Sequence, residues 1–229
     1  MPLSIFGIAM GMLEAIVVVY LRELFYPSGF HFPLVLFTPK LYLIEIARET
    51  ATIVMLAMVG ILAGKNKLQR FAWFLFSFAV WDIFYYVGLK VLLNWPPSLL
   101  SWDILFLIPI NWVGPVLAPL LCSLSMILFS FVIIRAQANA NTVKISLAEW
   151  GLFALGSLLI FITFIKDSFL LIIQNCALFR LAPPQSDQRF HEIISHYSPS
   201  HFFWLLFALG ELFIIIGIFS IFKRYQYKR

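Results

Sequence analysis

Charged and polar side chains recur at helical spacing inside otherwise apolar segments of this sequence. The segment from residue 45 to residue 52 carries them at i, i+3, i+4 and i+7, which places all four on one face of a helix. They are Glu45, Arg48, Glu49 and Thr52. An ionisable side chain near the centre of a bilayer costs roughly 2.5–3.5 kcal/mol. This face therefore indicates either a binding site or a structural ion pair.

Neighbouring apolar segments carry similar residues. Asp82, Tyr85 and Tyr86 repeat the i, i+3, i+4 spacing, and Glu14 lies one turn after a GxxxG pair, which lets another helix approach closely. At about 1.5 Å per residue along each span, carboxylates from four spans reach the same outer region of the bundle. The predicted binding site consists of Glu14, Glu45, Arg48, Glu49, Asp82, Tyr85, Tyr86 and Asp103. Its secondary members are Asn111, Trp112 and Glu211.

The charges of this site do not balance, since five of its members are carboxylates and Arg48 is its single cation. Protonation, a bound cation or access of water would resolve the excess negative charge. A hard divalent cation is one candidate ligand, because carboxylate oxygens suit it. No span contains an internal His, so no haem is expected. The pattern identifies neither a particular metal nor a catalytic residue.

A structural interpretation is also open. In it Arg48 pairs with Glu14 or Asp82, while tyrosine hydroxyls and backbone groups satisfy other carboxylates. Glu45 and Asp103 would lie near enough to the membrane interface to be hydrated. The buried charges would then set the register of the helices instead of binding a ligand.

The composition requires a membrane around these residues. Apolar residues make up 62% of the chain and charged residues 12%, against roughly 25% charged in soluble domains. A bilayer needs about 20 residues of apolar helix to cross it. Six runs meet that length, at about 3–22, 41–63, 69–92, 104–135, 148–174 and 202–222. We therefore predict a single-domain, all-α integral membrane protein, a bundle of six transmembrane helices.

Two kinds of interruption modify this bundle. The fourth run contains Pro109, Pro115 and Pro119, so we expect a proline break near Asn111–Pro115. The segments 24–39 and 92–102 are aromatic, rich in proline and almost uncharged. Because they are too apolar for water and too interrupted to span, we expect them to be interfacial loops over the outer end of the bundle.

The distribution of basic residues predicts the orientation. Nine Lys and Arg lie on the side of the two termini and five on the opposite side. The positive-inside rule then places both termini in the cytoplasm, in a bacterial-type inner membrane or a plasma membrane. The lipid bilayer is the main expected partner, with other membrane proteins or a second copy of the chain as candidates. Nucleic acid is not expected, because no basic stripe lies on a polar face.

Three functions fit this site. Transport of a proton or cation is favoured by the excess of carboxylates. A membrane-embedded enzyme acting on a lipid or isoprenoid head group would hold a metal with the carboxylates and phosphate with Arg48, although no acidic motif such as DDxxD is present. An accessory subunit of a larger membrane complex, such as a redox complex, would use the acids for packing. We adopt proton or cation handling, because the charge imbalance implies it in every case.

Overall fold

Six long helices make up most of the structure. The computed structural model describes residues 2–35, 37–140, 143–176, 198–199 and 201–226. The helices are α1 (Pro2–Phe25), α2 (Pro39–Ala63), α3 (Lys67–Leu93), α4 (Leu117–Asn139), α5 (Leu147–Cys176) and α6 (Trp204–Gln226). All six are long and apolar enough to cross a membrane. The prediction of an all-α membrane bundle with six candidate spans is therefore confirmed.

A β-hairpin precedes α4. Strands β1 (Trp102–Phe106) and β2 (Trp112–Pro115) pair in antiparallel fashion, with Asp103 opposite Gly114. The register shifts between Ile104 and Phe106, as in a β-bulge. The hairpin lies at the end of the bundle where α1 and α3 end and α2 and α4 begin, which we call the hairpin end.

The hairpin corrects the predicted fourth span of 104–135. Helix α4 begins only at Leu117, so residues 104–116 are not part of it, and a hairpin takes the place of the expected proline break within a helix. Hydropathy does not distinguish a short buried strand from a helical turn. Two prolines that lack an N–H, Pro109 and Pro115, disfavour a helix here. Pairing between the strands satisfies backbone groups that water would not reach.

Helix α3 is the centre of one part of the bundle, because α1, α2 and α4 all pack against it. Two glycines allow α1 to approach closely. A Cβ atom on Gly11 would lie 2.5 Å from the carbonyl oxygen of Trp81, and one on Gly7 would lie 2.9 Å from a methyl group of Val80. The predicted role of the GxxxG pair in close helix packing is confirmed.

Helices α5 and α6 form a second close pair, and α4 joins it to α3 by packing against both α3 and α6. Gly156 and Gly210 face each other at the crossing of α5 and α6. A Cβ atom on either would lie within 2.8 Å of the other's carbonyl oxygen. Because α3 and α5 are not among the closely packed pairs, a space remains between them.

The loops at the hairpin end contact one another through aromatic rings. Phe30 lies 5.9 Å from Trp95, and Trp95 stacks on Tyr86 at 6.4 Å between ring centroids. The Tyr26 hydroxyl accepts a hydrogen bond from the Val35 N–H at 2.7 Å. The loop between α1 and α2 and the loop between α3 and β1 therefore form a packed layer beside the hairpin. Their position at a membrane interface stays a prediction.

Candidate functional site: buried carboxylates and an aromatic cavity

Six of the predicted site residues, together with Thr52 and Arg22, form three hydrogen-bonded groups. The Arg48 group joins α1 to α2 and contains Glu14, Glu45, Arg48 and Thr52. The Arg22 pair joins α1 to β1 and consists of Arg22 and Asp103. The cavity carboxylates, Asp82 on α3 and Glu211 on α6, each bind a serine of α4. The carboxylates therefore share an end of the bundle but not one set of partners.

Arg48 holds two carboxylates at once. Its Nε donates to Glu45 at 2.8 Å, one turn earlier on α2, and its Nη1 donates to Glu14 on α1. Thr52 donates to the second oxygen of Glu14 at 3.4 Å. The pairing of Arg48 with Glu14 is one of the two that the structural interpretation predicts. The forked guanidinium suits it to bridge two acids, and it connects helices α1 and α2.

Glu49 binds the hairpin. Its two carboxylate oxygens accept from the Leu107 N–H at 3.2 and 3.0 Å. Leu107 follows the end of β1, where strand pairing leaves its N–H free for another partner. Nearby, the Tyr42 hydroxyl donates to the side chain of Asn111 at 3.5 Å. The polar face of α2 therefore positions the hairpin as well as α1.

Arg22 is a second internal cation, although it is one of the five basic residues that the sequence assigns to the side opposite the termini. Its Nη2 donates to Asp103 at 2.9 Å, and the two side chains are only 8% and 2% exposed. The guanidinium also lies over the rings of Trp95 and Phe30, at 3.8 and 4.4 Å from their centroids. Arg48 is therefore not the single internal cation. The position of Arg22 at the end of an apolar span resembled that of an interfacial charge, and only the folded loops bury it.

Burial governs the acidity of Asp103. Loss of hydration raises the pKa of this carboxyl and the Arg22 guanidinium lowers it, and the balance is a pKa of about 6, above the ordinary 3.8. Asp103 is not near enough to water to be hydrated in the way that the structural interpretation proposed. It is held by a fixed cation within a packed layer.

The cavity carboxylates have hydroxyl partners instead of cations. Ser123 donates to Asp82 at 2.8 Å, and Ser125 donates to Glu211. No described Lys or Arg forms an ion pair with either acid. Ser123 and Ser125 are two residues apart on α4, so they face different neighbouring helices. One oxygen of Glu211, Oε1, is buried without a hydrogen-bond partner.

Both of these acids line a cavity of about 470 Å³ between α3, α4, α5, α6 and the hairpin. Its other walls are almost entirely apolar, and nine of the lining residues are Phe or Trp. Trp112 of β2 lies at one end, with ring centroids 5.0 Å from Phe161 and 5.9 Å from Phe164. Its indole N–H is buried and has no hydrogen-bond partner. No Lys, Arg or His belongs to the described lining.

The remaining predicted residues have other surroundings. Tyr85 and Tyr86 contact each other at 4.8 Å between ring centroids and belong to the packed layer at the hairpin end. The backbone carbonyl of Asn111 accepts from Ser168 of α5 at 2.7 Å. Of the secondary members, Trp112 and Glu211 therefore reach the cavity, whereas Asn111 anchors the hairpin turn.

The described residues do not converge on a metal. Within the described ranges, no group of three or more His, Cys, Asp or Glu side chains is placed to hold an ion. No family model, curated protein or solved structure matches this chain. The chemistry of the site is therefore argued from its own geometry.

Proposed function

We propose that this protein handles a proton or cation at Asp82 and Glu211 in the course of transport across the membrane. One observation carries the proposal. Both acids line an apolar cavity inside a transmembrane bundle, and their described hydrogen-bond partners are serine hydroxyls without charge.

A hydroxyl does not neutralise a carboxylate. An ionised carboxylate in an apolar interior is costly unless a cation pairs with it, so each acid needs a proton or a cationic ligand. Serine suits either state, because its hydroxyl can donate to a carboxylate and accept from a carboxylic acid. The site can therefore exchange a proton for a cation without a rearrangement of its hydrogen-bonding partners.

The depth of the acids agrees with a site inside the bilayer. Asp82 precedes the last residue of α3, Leu93, by 11 residues, and Glu211 follows the first residue of α6, Trp204, by seven. At about 1.5 Å per residue, these positions lie roughly 10–16 Å from the hairpin end. The hydrocarbon core of a bilayer is about 30 Å thick, so the acids lie well inside it. With both termini in the cytoplasm, as the basic residues predict, the hairpin end is the outer end.

Proteoliposomes with a pH-sensitive dye in their interior test this function. We expect proton flux above that of protein-free liposomes under an imposed membrane potential or under a gradient of Na⁺, K⁺ or Mg²⁺. Asp82→Asn and Glu211→Gln should each reduce the flux to the protein-free level, because an amide cannot take up the proton.

Glu149→Gln is the matched control. Glu149 is also a buried carboxylate, but it is held by Arg224 and by Ser220 at the opposite end of the bundle from the hairpin. This variant should keep the wild-type flux. Flux at the protein-free level under every gradient, or flux that is equal in wild type and both cavity variants, would contradict the proposal.

A further inference from the structure

The aromatic cavity has a shape and a charge that define a class of ligand. Its volume of about 470 Å³ falls in the range of about 300–1,000 Å³ that is typical of sites for small organic molecules. A hydrated metal ion would leave such apolar walls in contact with water. The cavity instead fits a molecule with a large apolar body.

The two acids favour a body that carries positive charge. Asp82 and Glu211 provide the charged groups of the described lining, and both are anionic when ionised. The faces of aromatic rings carry negative electrostatic potential and attract organic cations, most strongly when water is excluded. Aromatic rings and acids therefore favour the same ligand.

The aromatic rings that line the cavity form two groups. The first surrounds Trp112 near the hairpin. In the second, Phe129 lies 5.4 Å from Phe153, and Phe71 lies 6.4 Å from Trp150. A ligand that extends along α5 would contact both groups and still present its charge to an acid.

The surroundings of the cavity supply a route for such a ligand. Helices α3 and α5 flank it and are not among the closely packed pairs, so the gap between them is the candidate entrance for a ligand from the lipid. Molecules with an apolar body and a charge concentrate in bilayers, which would deliver them to this opening.

We propose that the cavity binds a lipophilic organic cation, with its apolar body among the aromatic rings and its charge paired with Asp82 or Glu211. The proposal rests on the proposed function in one respect, namely that these acids are available to a proton or a cation. It adds the class of cation: a quaternary or protonated organic one.

Tetraphenylphosphonium is a suitable probe, and triphenylphosphine oxide is a neutral comparison with a similar apolar body. Calorimetric titration of the full-length protein in detergent should show saturable binding of tetraphenylphosphonium and much weaker binding of the neutral compound. Asp82→Asn and Glu211→Gln should weaken binding of the cation roughly 10- to 100-fold, as expected for loss of a charged partner. Glu149→Gln should leave its affinity unchanged.

The outcomes separate this proposal from the proposed function. Equal binding of both compounds by wild type would overturn the inference, and this comparison needs no variant to fold. Carboxylate-dependent proton flux without saturable binding of tetraphenylphosphonium would also overturn it, while the proposed function stands. Carboxylate-dependent binding without any proton flux would support the inference and count against transport.

Discussion

Among the described residues, buried or half-buried carboxylates with side-chain partners fall into two classes, whereas Glu49 accepts from the backbone N–H of Leu107. Arginines hold the first class and thereby join separate elements of the fold. They join α1 to β1 through Asp103, α1 to α2 through Glu14, and α5 to α6 through Glu149. Serines hold the second class, Asp82 and Glu211, and both members line the aromatic cavity.

Burial alone does not distinguish the classes. Asp103 is 2% exposed and Asp82 is 8% exposed, so both are removed from water. The difference is the compensating positive charge. The fold supplies it to Asp103 through Arg22, whereas at Asp82 it must come from a proton or a ligand. We therefore interpret a buried acid with a fixed cation as structural. An acid at a cavity whose partner is only a hydroxyl is available to exchange a proton or a cation.

Removal of the cation from the Arg22 pair should have the largest effect on stability. Arg22→Met leaves Asp103 buried without its charged partner, and we expect a loss of about 3–5 kcal/mol in the free energy of unfolding. Reversible unfolding in mixed micelles, with increasing denaturing detergent, measures this quantity.

The double variant Arg22→Met with Asp103→Leu is the control for this prediction. It replaces the whole pair by apolar side chains and should recover most of the lost stability. A double variant as unstable as Arg22→Met would mean that the stacking of Arg22 on Trp95 and Phe30, and not its charge, stabilises this region.

The acidity of Asp103 predicts a smaller, pH-dependent effect. Because its pKa is raised from 3.8 to about 6 on folding, the native state binds a proton more tightly than the unfolded chain. The resulting stabilisation is fully present below pH 3.8 and is lost as the pH rises through about 6. Its size is about 3 kcal/mol, at 1.36 kcal/mol per pH unit of difference.

The comparison of wild type with Asp103→Asn isolates this effect, since the other titrating groups are common to both proteins. The stability advantage of wild type over the variant should shrink between pH 4 and pH 7. An advantage that grows with pH would show that the Arg22 guanidinium outweighs burial, and would place the folded pKa below 3.8 instead.

The cavity carboxylates should contribute least to stability. Asp82→Asn and Glu211→Gln keep an oxygen that accepts from Ser123 or Ser125, so we expect each to change the free energy of unfolding by less than about 1 kcal/mol. The same unfolding measurement at neutral pH tests this. A loss as large as that of Arg22→Met would assign these two acids to the structural class and remove the distinction.

Sequence spacing was informative where a residue's role depends on its own helix. The polar face of α2 and the glycine stripe of α1 follow from periodicity, and the structure uses both for contact with neighbouring elements. Spacing was less informative about partners. Arg22 is 81 residues from Asp103, and Ser125 is 86 from Glu211, so no local pattern connects them.

The fourth span shows a second limit. Residues 104–116 are as apolar as a transmembrane helix, yet most of them belong to the hairpin of β1 and β2, which carries Asp103 and Trp112. Hydropathy indicates that a segment is removed from water, but it does not distinguish a strand from a helix. Here the prolines and the pairing with a second strand favour the hairpin.

Composition and periodicity alone indicate that the protein lies in a membrane, that six helices are available to cross it, and that acids are buried among them. These properties follow from composition and periodicity, because the cost of exposing apolar surface to water is local and additive. Which acid pairs with an arginine, and which binds a serine at an aromatic cavity, became visible in the folded arrangement of the helices. That choice depends on distances between helices that are far apart in the chain, and the charge of a buried group is set by those neighbours.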